Sequence, residues 1–132
     1  MKQDQNWLAE MESRRRDDEP SPGQEMAALM RRTDEVLKGL SPEDGAKLRE
    51  LSAGWRELML TGYALSCGYA PHTADGVGEL LTAAPEGAVW RAENLRLTRA
   101  AEALADTVPG ALPLSDRWDD LCTLALVLGQ RR

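Results

Sequence analysis

Cys67, His72 and Asp75 are the residues of this chain best suited to chemistry, and they fall close together. A thiol, an imidazole and a carboxylate side by side suggest a metal centre or a proton-transfer site. Their spacing argues against both. Intervals of five and three residues match no common ligand pattern, and His72 is the single histidine, so no second imidazole completes a tetrahedral set. His72 reads instead as an exposed turn residue. Gly76 and Gly78 open a short helix, but no strand precedes them and no Lys-Ser or Lys-Thr follows, which argues against a phosphate-binding loop. The carboxylates are dispersed among arginines over polar helix faces, as on a solvated surface. No nucleophile stands with a base and an orienting group. The expectation is a chain that is not an enzyme and binds no cofactor and no metal.

The elements that must carry these residues read as helices, and the expected fold is an all-α compact bundle of about five of them. Residues 1–20 read as a charged tail or a short docking helix, with Trp7, Leu8 and Met11 at helical spacing; residues 21–132 form a single helical domain. Ser21, Pro22 and Gln24 make a capping box for a helix over 22–38 that Gly39 stops. Ser41-Pro42 restarts the chain, and so short a connection predicts that the two flanking helices pack antiparallel. The next helix, 42–67, carries Leu48, Leu51, Trp55, Leu58, Gly62 and Leu65 in alternating steps of three and four, an unbroken heptad seam. Leu60, Tyr63 and Cys67 form a second apolar strip, so this helix should be one-faced at its start and sandwiched at its end. Gly62 on the seam predicts close approach of another helix.

A short helix over 74–84, with Val77, Leu80 and Leu81 inward, is capped by Thr73 or Asp75 and ended by Pro85. The helix over 86–107 repeats the seam with Trp90, Asn94, Leu97, Ala101, Leu104 and Val108. Asn94, the polar member, either fixes register or lies half-exposed. Pro109-Gly110 and Pro113 make a turn, and Ser115 caps a last helix over 116–128 whose stretch from Leu121 to Leu128 is apolar nearly all round, so the helix is expected to be central. Gly129 stops it, and Arg131-Arg132 complement its dipole.

Length and composition fit one domain: 132 residues, 42% hydrophobic, no Phe, so Leu and the four Trp fill the core. Trp55, Trp90 and Trp118 are expected inside. Cys67 and Cys122 read as small buried hydrophobes with no disulfide implied. No apolar run approaches the ~18 residues of a membrane span, and no leader is evident, so the expected location is cytoplasmic. Thirteen arginines against three lysines hint at a GC-rich bacterial genome.

Cys67-Gly68-Tyr69-Ala70, Glu79-Leu80-Leu81-Thr82 and Pro85-Glu86 together resemble a tetratricopeptide hairpin, in which a glycine ends the first helix and a proline closes the second. Gly68 and Pro85 stand 17 apart, as in that family, and Trp90 falls one residue before the next repeat's aromatic position. The wording is most similar to small tetratricopeptide chaperones of bacterial type III secretion, which implies a groove that holds another protein. The resemblance covers only about 20–25 residues, and the helix before Gly68 is nearly twice the family length.

The function these readings point to is binding another protein, as a chaperone, adaptor or inhibitor, with the heptad seams also suited to a homodimer. Apolar residues off the main seams are the expected partner contacts: Trp7, Leu60, Tyr63, Tyr69 and Leu95. A formal charge of −6 and a pI near 4.8 argue against nucleic acid as a ligand. Two alternatives follow from charge and pattern. One is an acidic inhibitor that occupies a partner's nucleic-acid channel. The other is a helix–turn–helix DNA regulator, with Arg91, Arg96 and Arg99 on the second helix; there Glu86 and Glu93 oppose phosphate approach and the arginines do not share a face.

Overall fold

The described residues form six α-helices: α1 (Gln3–Arg14), α2 (Pro22–Leu37), α3 (Pro42–Gly68), α4 (Gly76–Ala83), α5 (Pro85–Leu104) and α6 (Ala111–Gly129). They are seen in a computed structural model that describes residues 3–69 and 76–131, and no strand occurs among the described residues. The all-helical expectation holds, with six helices in place of about five because 3–14 is itself helical. Pro71, His72, Thr73 and Asp75, with the turn, capping and metal expectations attached to them, lie outside the described residues.

The helix starts follow local chemistry. Ser21 Oγ accepts the Gln24 N–H at 3.3 Å, and Ser41 Oγ accepts the Asp44 N–H at 3.2 Å. Proline takes the first helical position of α2, α3 and α5, where an N–H would have no acceptor in its own helix. A further cap comes from another element. Glu12 of α1 accepts the Gly23 N–H at 2.8 Å and the Ser21 hydroxyl. Burial works to raise the Glu12 pKa, but those bonds and Arg15 outweigh it and hold the carboxyl below its usual range.

Three helix boundaries depart from expectation. Gly39 does not stop α2 through a left-handed turn, since no described glycine has positive φ. The helix unwinds through tighter bonds from Gly39 N to Val36 O and from Leu40 N to Leu37 O. Ser115 does not cap the last helix: α6 begins at Ala111, and Ser115 is buried within it. Pro113 is tolerated because first-turn N–H groups lack intrahelical acceptors anyway. Gly129 is the last residue of α6 but lacks positive φ, and it serves contact, since a Cβ there would sit 2.7 Å from Ser66 Cβ and 2.9 Å from Tyr63 O.

The apolar character of α6 sets the packing. It touches α1, α2, α3 and α5, and buries Trp118, Cys122, Ala125 and Leu128 to 1% exposure or less. Its contacts climb α3 in parallel, from Cys122 beside Trp55 O to Leu126 O, which accepts the Ser66 hydroxyl at 2.5 Å. By contrast α5 runs antiparallel to α3, with Trp90 at Leu58, Leu97 at Gly54 and Thr107 at Asp44. The seams on α3 and α5 are used inside the chain: Leu48, Trp55, Leu97 and Ala101 are at most 2% exposed.

Two expected hairpins are replaced by other pairings. The main packing partners of α2 are α6 and α1, not α3, despite the short α2–α3 connection. The start of α3 is apolar on one side only, whereas α6 offers apolar surface on several. The turn at Pro85 pairs α4 with α5, rather than folding α4 back on the end of α3. The closeness of that pair depends on Gly87, where a Cβ would meet Leu80 O at 1.9 Å.

At one end of the bundle α1 ties three termini together. Met11 is fully buried, and Arg14 Nη1 lies 3.5 Å from Leu128 O, 3.4 Å from Gly129 O and 3.3 Å from Cys67 Sγ. Arg14 thus supplies the cation at the end of α6. Arg131, expected in that role, forks onto Glu19 instead, with Nη2 to Oε2 at 2.7 Å. The Arg131 bond, then the Arg16 N–H, lower the Glu19 pKa to about 2.

Candidate docking groove

Three of the five expected contact residues, Trp7, Tyr63 and Tyr69, pack within the chain itself. Tyr63 is 4% exposed: Trp7 stacks on its ring with centroids 5.9 Å apart, and its hydroxyl donates to Glu10 at 2.5 Å. Arg14 lies over the same ring at 5.5 Å. Burial, then the bond to Glu10, push the Tyr63 phenol well above its ordinary range. Trp7 and Tyr69 are half-buried against the core, and Leu60 is half-buried on α3. Only Leu95 is substantially exposed, and it opens on a separate hollow beside Ala88, Arg91 and Asn94. Asn94 itself is half-exposed and donates to Asp119 of α6 at 2.8 Å.

A strongly apolar surface opening lies elsewhere, between α3 and α5. Its floor is Gly54, Leu58, Leu65 and the edge of Trp90, its wall is Val89, and its rim is Glu57, Glu86 and Glu93. The hollow has a volume of about 520 Å³. Val89 is 71% exposed, the most exposed large apolar side chain described. The local sequence explains this shape. Gly62 has no side chain, so the Trp90 indole lies against α3 and donates Nε1–H to Leu58 O at 3.0 Å. Gly54 admits Leu97 in the same way, with its absent Cβ only 2.7 Å from Leu97 Cδ2. Each glycine weakens helix propensity by roughly 1 kcal/mol, offset here by close packing.

Sequence reasoning passes over Val89 because it adjoins the seam residue Trp90. Yet Val89 meets the criterion that selects Leu95: apolar and off the stripe. Leu65 belongs to the seam but is only partly buried, and it lines the hollow together with Glu86 at the start of α5.

Two arginines nearby are engaged. Arg96 Nε lies 2.9 Å and 3.1 Å from the two Glu93 oxygens, and that bonding holds the Glu93 carboxyl below its usual range. Arg91 Nη1 donates to Leu81 O at 3.3 Å, closing the end of α4. Trp55, Trp90 and Trp118 are core residues, at 1%, 6% and 1% exposure. Both cysteines are free; Cys122 is buried and its thiol is pushed far up by that burial, whereas Cys67 is half-buried beside Arg14. Among the described residues no group of three or more His, Cys, Asp or Glu could hold a metal ion. No helix among them is long and apolar enough to cross a membrane.

No family model, curated protein or solved structure matches this chain.

Proposed function

We propose that this chain is a protein–protein interaction module that binds its partner in the α3–α5 groove. One observation carries the reading: an apolar hollow of about 520 Å³ beside the strongly exposed Val89, on a chain whose other apolar seams are internally satisfied. An exposed apolar patch rimmed by polar groups is the usual mark of an interaction site. The occupied state of Arg91 and Arg96 supports protein over phosphate as the ligand. A chaperone-like role within that class, in which the groove shields an apolar segment of a client, rests on the sequence resemblance of residues 67–86 alone, since α4 packs on α5 rather than on α3.

The test places a photo-crosslinking amino acid at Val89 or, as control, at exposed Met30 of α2. In a lysate of the source organism the Val89 position yields a discrete adduct that the Met30 position does not. Leu65→Asp in the groove floor removes that adduct without unfolding the chain. Identical adduct patterns from both positions would remove the groove from consideration.

A further inference from the structure

The apolar hollow and a second, separate one lie along the same helix pair, and the two are taken together as a trough. The second hollow has a volume of about 560 Å³. On α3 the two are lined by Lys47, Leu51, Gly54, Leu58, Thr61 and Leu65, in steps of three and four. On α5 they are lined by Glu86, Val89, Glu93, Arg96, Ala100 and Ala103, spaced the same way. Such steps keep to one helix face. Because α3 and α5 run antiparallel, the two faces lie side by side for ~27 Å, the rise of about 18 helical residues.

Both α3 and α5 also pack against α6, leaving the trough as the open side of a three-helix group. A fourth helix laid there would complete a four-helix arrangement, with its apolar face against α3 and α5. The charge of the rim selects among such helices. Around Val89 the hollow is edged by Glu57, Glu86 and Glu93, with no basic side chain in its lining. The far end carries Lys47 and Arg96 with Glu50 and Asp106. A second copy of this chain would bring the same three carboxylates and a formal charge of −6 to the contact, which opposes self-association there.

Resting on the docking reading above, we infer that the trough receives an amphipathic helix of about five turns from another protein. Aliphatic side chains of that helix fill the hollow beside Val89, and lysine or arginine side chains flank them opposite Glu57 and Glu86. The small side chains of Ala100 and Ala103 leave room for the helix backbone at the far end.

Two synthetic helices of about 18 residues test this, identical in their leucine seam and alanine background but flanked by lysine in one and glutamate in the other. Fluorescence anisotropy with the full chain measures their binding. The lysine helix binds at least about tenfold more tightly at low salt, and Val89→Asp weakens it about tenfold. Glu57→Lys with Glu86→Lys reverses the preference. Equal binding of the two helices, absence of binding by both, or binding of the lysine helix that ignores Val89→Asp overturns the inference. So does a Val89-dependent dimer in sedimentation. The Val89 cross-link separates the two levels. If it captures a partner through a segment that is not a basic helix, the docking reading stands and the inference about the occupant falls.

Discussion

Gly39 and Gly129 follow the last apolar residue of two helices, and from sequence they perform the same stop function. The structure assigns them opposite responses to alanine. At Gly129 two effects compete. Alanine in a helix gains up to about 1 kcal/mol over glycine. Against this, the new Cβ would sit 2.7 Å from Ser66 Cβ and 2.9 Å from Tyr63 O, one of them backbone. Ser66 cannot swing aside freely, since its hydroxyl is bonded to Leu126 O at 2.5 Å in a fully buried position. Overpacking of this kind costs about 2–3 kcal/mol, so Gly129→Ala is destabilising by about 1–2 kcal/mol net. Unfolding entropy of roughly 2.1 cal/mol/K per residue, over 132 residues, converts that to a Tm lower by about 4–7 °C. Gly39 meets no atom within 4 Å and lacks positive φ, so Gly39→Ala stabilises by about 0.4–1 kcal/mol through the unfolded chain. Urea unfolding and thermal melts of both variants give the answer. A neutral or stabilising Gly129→Ala would refute the close α3–α6 crossing, and a destabilising Gly39→Ala would refute the backbone assigned to the α2–α3 turn.

Acid titration should reveal the Glu19–Arg131 pair. Its folded pKa of about 2 lies below the unfolded value, so its contribution is complete above pH ~4.5 and disappears as pH falls towards 2; Glu19→Gln flattens the stability–pH curve in that window. Trp7→Ala removes the stack on Tyr63, and hydrogen exchange should then show protection lost over α1 before the rest of the chain changes; uniform loss would mean α1 is integral to the global transition. Thiol labelling under native conditions should modify Cys67 ahead of Cys122, with Cys122 reacting only as fast as the core opens; equal rates would contradict its complete burial. Val89→Asp should leave unfolding free energy within about 0.5 kcal/mol of the parent, because the side chain is 71% exposed.

The helices and their buried faces were legible in the sequence because both depend on neighbours a few residues away. Ser21 and Ser41 cap the helices they precede, and the seam through Leu48, Trp55 and Leu58 is buried as its period predicts. The centrality of α6 followed from its apolar second half, Leu121 to Leu128, although Asp116, Asp119 and Asp120 keep one side of its first half exposed. The groove was half legible: Leu58, Leu65 and Trp90 lie on recognised stripes, but nothing local says that α5 leaves part of Leu65 uncovered.

Which helix meets which is a different matter. A short α2–α3 link permits a hairpin but does not enforce one, and α6 competes for α2 from far along the chain. Whether a glycine ends a helix or admits a neighbour depends on atoms more than sixty residues away, as at Gly129 against Ser66. Periodicity determined the faces of these helices, since side-chain direction repeats along a single backbone. Partner choice and the open trough were decided only in three dimensions, because they depend on how all the buried surfaces compete at once.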